Sequence, residues 1–215
     1  MQLSPVEVRI LGSLIEKEST TPDNYPLSLN ALTNACNQSS NREPVMALDE
    51  DAVRWAVNNL RQQSLVRAVQ HSGSRVMKFQ HLMAERLNLD TTSLGVLCVL
   101  MLRGPQTAGE IRARTNRLAD FTSVSDVETT LGELKRKELV VELARRPGQK
   151  EERYAHLLSG PIAADTREDV APVGTPVRAD RGEERIAVLE TTVAELRAEL
   201  TDLRAQFEAL KRQFE

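Results

Sequence analysis

Aromatic residues account for only 3% of this 215-residue chain, which also contains just two cysteines and three histidines. Cys36 and Cys98 lie far apart, and neither belongs to a CxxC motif. Such a set supplies neither a disulfide framework nor the ligands of a zinc site. We therefore expect two buried thiols in the reducing cytoplasm, with no metal and no cofactor. The alternative is a disulfide or a metal site between the two.

Long apolar segments and catalytic motifs are missing as well. The N-terminus shows no basic segment followed by an apolar core, so we expect no signal peptide. The longest apolar stretch, residues 94–102, is too short to span a bilayer, so we expect no membrane partner. The chain contains neither GxxxxGK nor GxGxxG, and no His, Ser or Cys stands in a recognisable catalytic constellation. These absences predict a protein that is not an enzyme.

Neither sign of charge dominates the chain, whose formal net charge is −3. Divided by region, the net charge is 0 for residues 1–84, +1 for residues 85–160 and −4 for residues 161–215. A protein that coats nucleic acid through its general charge would be strongly basic. Any nucleic-acid site must therefore be a local patch on a neutral domain.

The first 160 residues contain an internal repeat. VRILGSLI at 8–15 matches LGVLCVLM at 94–101, and PLSLNALTNACNQ at 26–38 matches PQTAGEIRARTNR at 105–117. DAVRWAVNNLRQQSLV at 51–66 matches SDVETTLGELKRKELV at 125–140. The offset falls from 86 through 79 to 74, which indicates longer loops in the first copy. A duplicated module of roughly 70–80 residues is the economical explanation.

Each copy has the pattern of three helices followed by a β-hairpin. Capping boxes mark three helix starts: Ser4 with Glu7, Thr107 with Glu110, and Ser125 with Glu128. The third helices are predicted at residues 52–62 and 127–137, and Trp55 in the first of them has the spacing of a core residue. Glycine and proline then turn each hairpin. Three helices and a hairpin are the order of a winged-helix module.

Two segments narrow this interpretation to a family. The LxxxxLV pattern before each hairpin resembles the junction between recognition helix and wing in many bacterial winged-helix proteins. TNACNQSSNREPVMALD at 33–49, with VRWAVNNLRQQSLV after it, resembles the YceH family of bacterial tandem winged-helix proteins. The resemblance covers about residues 3–160 and implies two winged-helix modules. The YceH family has no established biochemical activity, so the resemblance does not imply a function, and the function has to be argued from the residues.

The end of the chain carries an uninterrupted heptad repeat. Its nine apolar positions are Ile186, Leu189, Val193, Leu196, Leu200, Leu203, Phe207, Leu210 and Phe214. A stripe this narrow needs a second helix to cover it, which predicts a parallel coiled-coil homodimer. The alternative is that the stripe packs on the winged helices of its own chain.

We thus predict a mainly α protein with small β-hairpins, built of two tandem winged-helix domains followed by a C-terminal coiled-coil helix. The domains are predicted at residues 1–84 and 85–160. Residues 161–182, rich in proline, glycine and charge, break all periodicity and predict a flexible linker. The coiled-coil helix is predicted at residues 183–215.

Winged-helix proteins bind DNA through the third helix and the hairpin. The candidates in the first copy are Arg54, Asn58 and Arg61 on the helix, and Arg75 and Lys78 in the hairpin. Those of the second hairpin are Arg145, Arg146, Lys150 and Arg153, whose cations beside a tight turn suit a phosphate contact. Acidic residues at the start of both third helices repel phosphates, so a solvated or protein-facing helix is the alternative.

A long polar loop between the second and third helices of the first copy is the other candidate site. Asn37, Gln38, Asn41 and Arg42 offer amide and guanidinium groups to a protein partner. The alternative is that the loop bonds its own backbone, or that Arg42 bridges to Glu43 or to one of the acids at residues 49–51.

Two functions follow from these observations. The first is a dimeric DNA-binding protein resembling a transcription regulator, with two winged helices in each chain. The second is a scaffold whose winged helices bind proteins without contacting DNA, which the neutral domain charges favour.

Overall fold

The structure, a computed structural model, describes residues 2–70, 76–145 and 151–160. The predicted linker and coiled-coil helix, with all nine heptad residues, lie outside the described residues, so the homodimer stays a prediction. The described part is mainly α-helical with small antiparallel sheets. This confirms the general fold class that the sequence predicted, a mainly α protein with small β elements.

The first copy contains three long helices and a three-stranded sheet. Its elements are α1 (Pro5–Thr20), β1 (Leu27–Ser28), α2 (Leu29–Cys36), α3 (Glu50–Gln62), β2 (Val66–Val69) and β3 (Lys78–His81). The strands are antiparallel in the order β1-β3-β2, with Leu27 opposite Phe79 and Ala68 also opposite Phe79.

The second copy has the same order after a short connecting helix. Its elements are α4 (Met83–Leu87), α5 (Thr91–Arg103), α6 (Ala108–Thr115), α7 (Val124–Arg136), β4 (Val140–Leu143) and β5 (Arg153–His156). The strands β4 and β5 form an antiparallel pair. Gln106 adds a single bridge to Tyr154, at the place where β1 joins the first sheet.

The repeat is confirmed in the backbone of the described residues, because equivalent helices begin on equivalent caps. The N-caps pair as Ser4 with Asp90, Ser28 with Thr107, and Asp49 with Ser123. These pairs have the sequence offsets 86, 79 and 74. Each third helix is also followed, two residues after its end, by a residue in the left-handed region, Ser64 or Glu138, both with φ 57°. The two copies therefore share caps and strand register, as well as a hydrophobic pattern.

One of the predicted caps is wrong. Ser125 does not begin α7, because Ser123 and Asp126 close a capping box two residues earlier. The Asp126 amide donates to Ser123 Oγ at 3.1 Å, and the Ser123 amide donates to the Asp126 carboxylate at 2.9 Å. Asp126 stands where a capping box usually has glutamate, three residues after the N-cap. A search for Ser or Thr followed by Glu at that spacing therefore does not find the box at Ser123.

The two copies share one hydrophobic core, at whose centre α1 and α5 pack together. All residues of α1 from Glu7 to Glu16 are buried, as are residues 96–102 of α5. Gly12 permits the approach, since a Cβ atom there would lie 2.8 Å from Leu102 Cδ2. The described residues belong to one compact unit, and the boundary predicted between residues 84 and 85 falls within α4.

Candidate recognition surfaces

Arg42 is buried beneath the polar loop rather than presented to a partner. Arg42 is 4% exposed. Its Nη1 and Nη2 donate to the two carboxylate oxygens of Glu16 at 3.1 and 2.7 Å. Nε and Nη2 also donate to the Ala35 carbonyl at 3.1 and 2.9 Å. The prediction that Arg42 binds a partner is therefore wrong, and so is the predicted bridge to the acids at 49–51. The planar guanidinium group of Arg42 in the loop thus binds both oxygens of the Glu16 carboxylate on α1.

The Glu16 carboxyl group stays ionised in this setting. Burial pushes its pKa up, but the hydrogen bonds and charge of Arg42, together with the nearby Lys17, outweigh burial and hold the pKa below its ordinary value. Lys17 Nζ lies 3.3 Å from Glu16 Oε2. One carboxylate thus serves two cations.

A second guanidinium, that of Arg9, lies in the same interior. Arg9 is 1% exposed and donates to the carbonyls of Cys36 at 3.0 Å and Pro44 at 2.5 Å. Its Nε has no hydrogen-bond partner, and burial and then the charge of Arg42 lower its pKa from the ordinary value. Sequence reasoning missed Arg9, although an arginine within the apolar stripe of α1 was the available signal. Arg9 thus joins α1 to the end of α2 and to the Pro44 carbonyl of the loop, while Arg42 joins the loop to Ala35 of α2.

The other predicted loop residues are also engaged within the chain. The Asn37 side chain pairs with the backbone of Leu48, donating at 2.7 Å and accepting at 2.8 Å. Gln38 Oε1 accepts from Arg42 at 3.2 Å and from Lys17 at 3.3 Å. Asn41, exposed and with φ 59°, accepts from Arg103 of α5. The structure therefore favours the alternative in which the loop satisfies its own polar groups.

The solvent face of α3 mixes both charges. Arg54 pairs with Asp51 and lies 3.8 Å from Glu50, and Arg61 Nη1 donates to Asn58 Oδ1 at 3.2 Å. All three predicted DNA contacts of this helix are exposed together on one element. However, the acids neutralise Arg54, and Asp49 caps the helix through the Ala52 amide at 2.7 Å.

Trp55 lies on this face too, which corrects the prediction that it is buried. It is 67% exposed. The buried stripe of α3 consists of Val53, Ala56, Val57 and Leu60, which follow the i, i+3, i+4, i+7 spacing. Position 55 falls about 100° away from position 56 and therefore outside that stripe. The prediction assigned Trp55 the spacing of a core residue, but the observed stripe leaves its side chain on the solvent face.

The cations of the hairpins are largely paired where the structure describes them. Arg145 Nε and Nη2 donate to Glu152 at 3.0 and 2.7 Å. Arg153 lies 3.2 Å from the Glu110 carboxylate and donates to the Pro105 carbonyl at 2.8 Å. Lys78 is half-buried in β3. The predicted contacts Arg75, Arg146 and Lys150 lie outside the described residues.

Two kinds of site are absent from the part of the chain described. No three His, Cys, Asp or Glu side chains are grouped there as a metal site requires. No helix in those ranges is long and apolar enough to cross a membrane.

The fold thus defines a mainly helical protein with a duplicated unit of helices and hairpin. Comparisons with known proteins show the family to which the chain belongs. A family model described as "Protein of unknown function, DUF480" matches residues 3–149. A UPF0502 protein of Vibrio vulnificus (strain YJ016) is 48% identical over 199 residues, 89% of this chain and 90% of its own length. A UPF0502 protein of Pelobacter propionicus is 50% identical over 196 residues, 90% of this chain and 89% of its own length. The chain belongs to this DUF480/UPF0502 family, which is consistent with the resemblance to the YceH family.

Proposed function

We propose that this chain is a non-enzymatic tandem winged-helix protein that binds another protein through α3 of its first copy. The order of helices and hairpin in both copies supports the winged-helix assignment. The observation that carries the proposal is Trp55, two-thirds exposed on the helix that a winged-helix protein would otherwise insert into DNA. Tryptophan is the residue most typical of binding hot spots between proteins.

The charges around Trp55 specify the kind of partner. Asp49, Glu50 and Asp51 begin α3, and Asp51 precedes Trp55 by one helical turn. A polyanion such as DNA would be repelled by this end of the helix. A basic segment carrying an apolar residue would find carboxylates for its charge and the Trp55 ring for its cations or its apolar group.

A photo-crosslinking amino acid at position 55 tests this proposal. The matched control is position 129, the equivalent and also exposed site on α7, where the chain has threonine. We expect adducts from position 55 whose crosslinked peptide is basic and partly apolar, and no such adduct from position 129. Equal adducts from both positions, or adducts only with DNA, would contradict the proposal.

DNA binding is the second candidate function. The specific observation in its favour is that Arg61 and Asn58 lie exposed on α3, the helix that a winged-helix protein places in the major groove. Anisotropy of a mixed-sequence duplex at about 50 and 200 mM salt separates the two functions. A steep loss of affinity with salt supports DNA binding. Because Trp55 is the only tryptophan, its emission would also respond to a duplex on α3.

Dimerisation through the tail completes the proposal. The nine heptad residues support a parallel pair of helices. Light scattering should report a dimer for the full-length chain and a monomer for a chain ending at Gly160. If the shortened chain keeps the full-length stoichiometry, the tail does not join the chains. We place the protein in the cytoplasm, since Cys36 and Cys98 are free thiols.

A further inference from the structure

An open pocket of about 410 Å³ with a mixed polar and apolar lining lies on the first copy between α1, α2 and the β1–β3 edge of the sheet. Its polar lining consists of Lys17, Asn24, Ser28, Asn34, Gln38 and Lys78, and no lining residue is acidic. This volume lies within the range of sites that bind small molecules, about 300–1,000 Å³. The pocket plays no part in the proposed docking of a protein on α3.

Lys78 is one of two cations in this pocket, and it has no counter-ion among the described residues. Its side chain makes no hydrogen bond or ion pair with any residue in the described ranges, although it is half-buried in β3. A charged group partly removed from water gains from an opposite charge close by.

Lys17 provides a second cation whose charge is only partly balanced. Its neighbour Glu16 already accepts two hydrogen bonds from Arg42, at 3.1 and 2.7 Å, and lies farther from Lys17, at 3.3 Å. The single carboxylate is therefore shared between two cations, and positive charge remains at the mouth of the pocket.

Neutral donors complete the lining. Gln38 uses its Oε1 to accept from Lys17 and Arg42, which leaves its NH₂ group for another acceptor. Ser28 Oγ accepts from the Ala31 amide at 3.3 Å, so its hydroxyl hydrogen can be donated. The pocket thus presents two ammonium groups, an amide and a hydroxyl, which is the donor set that an anion with several oxygens requires.

The second copy fills the same place with its own carboxylate. Arg153 occupies the position of Lys78, and Glu110 the position of Ala31. Glu110 Oε2 lies 3.2 Å from Arg153. The first copy keeps the cation but replaces the glutamate by alanine, so that an outside anion is needed to do what Glu110 does internally.

We propose that this pocket binds the phosphate group of a small phosphate monoester. The group is close to a dianion at neutral pH, and the side chains that would donate hydrogen bonds to it are those of Lys17, Lys78 and Gln38, which line the pocket. Lysine acts here as a point charge, which suits a tetrahedral anion without fixed orientation.

Titration of the full-length, ¹⁵N-labelled protein with methyl phosphate at pH 7.5 and constant ionic strength tests the proposal. We expect saturable shifts at the amides of Asn24, Ser28, Ala31 and Gln38. Dimethyl phosphate, a diester with a single charge, should bind at least tenfold more weakly. If the diester binds as well as the monoester, the pocket is a contact for a nucleic-acid backbone and the proposal is wrong.

Two variants and one control locate the binding charge. Lys78→Gln should weaken methyl phosphate binding about tenfold by removing one ion pair. Ala31→Glu should do the same, because it supplies the carboxylate that the second copy already has. This second variant also completes a capping box with Ser28, so it should melt no lower than the wild type.

Lys135→Gln is the control, because Lys135 lies outside the pocket and pairs with Glu142 at 2.5 Å. Its methyl phosphate affinity should equal that of the wild type. Unchanged affinity in both Lys78→Gln and Ala31→Glu would overturn the proposal, as would shifts that are scattered over the protein without saturation.

Discussion

The two copies hold the loop before their third helix by opposite means. In the first copy, residues 37–49 are joined to α1 through the buried Arg9 and the Arg42–Glu16 pair. In the second copy, the shorter connection over residues 116–123 lies directly on α5. Gly95 occupies the position of Arg9, and a Cβ atom there would lie 3.1 Å from Ala119 Cβ.

This difference shows what a longer loop requires. A short connection can cover its apolar residues, such as Leu118 and Ala119, by contact with the helix below. The first copy instead buries the last carbonyl groups of α2 and the Pro44 carbonyl of the loop, and each of these needs a donor. Arginine has five donors, so Arg9 and Arg42 satisfy the carbonyls of Ala35, Cys36 and Pro44 from inside the core.

The largest expected effect comes from breaking the buried ion pair of the first copy. Arg42→Ala leaves the Glu16 carboxylate buried beside Lys17 alone, and should lower the free energy of unfolding by about 3–5 kcal/mol. Urea unfolding followed by circular dichroism measures it. A loss below about 1 kcal/mol would place Arg42 among exposed ion pairs and contradict its burial.

A double variant sharpens this prediction. Replacing both partners, in Glu16→Gln with Arg42→Met, removes the pair without leaving an unpaired charge. It should therefore recover part of the stability that Arg42→Ala loses. A double variant no more stable than Arg42→Ala would show that the loop carbonyls, rather than the charge of Glu16, set the cost.

The contact between the copies gives the next effect. Gly12→Ala places a Cβ atom 2.8 Å from Leu102 Cδ2 in the core between α1 and α5, and should cost about 1–3 kcal/mol. Gly132→Ala in α7 is the matched control, because no atom lies within 4 Å of the new Cβ. It should stabilise the protein by up to about 1 kcal/mol through helix propensity. Two changes of the same sign would contradict the close packing at Gly12.

A smaller effect is expected from exchanging the residues at the third position of α2 and α6. Glu110→Ala removes one half of a capping box and the partner of Arg153, and should lower the melting temperature. Ala31→Glu should raise it. Each change is expected to be about 0.3–1.5 kcal/mol. If Glu110→Ala also creates methyl phosphate binding at Arg153, the two copies differ at this site only by that carboxylate.

The smallest effect is expected at the surface of the second hairpin. Arg145→Ala breaks an exposed pair with Glu152 and should change the free energy of unfolding by about 0–1 kcal/mol. Its effect on any DNA affinity should also be small, because Glu152 already neutralises the guanidinium. A marked flattening of the salt dependence would return Arg145 to the candidate DNA contacts.

Local patterns in the sequence predicted much of the fold. The offsets of the repeat recur between the observed caps of equivalent helices, because caps and turns depend on the few residues around them. The loop between α2 and α3 could not be predicted in the same way. Its partners Arg9 and Glu16 lie many residues away on α1, and only the folded chain brings them to Ala35 and Arg42.

The sequence alone thus determined the duplicated order of helices and hairpin, the capping boxes of α1 and α6, and the family. Tertiary structure decided which polar residues are inside and which charges are paired. The reason is physical: capping and periodicity are local, whereas burial and ion pairing depend on which distant elements meet. Arg42 therefore became a core residue and Trp55 a surface residue, contrary to the ordinary preferences of both side chains.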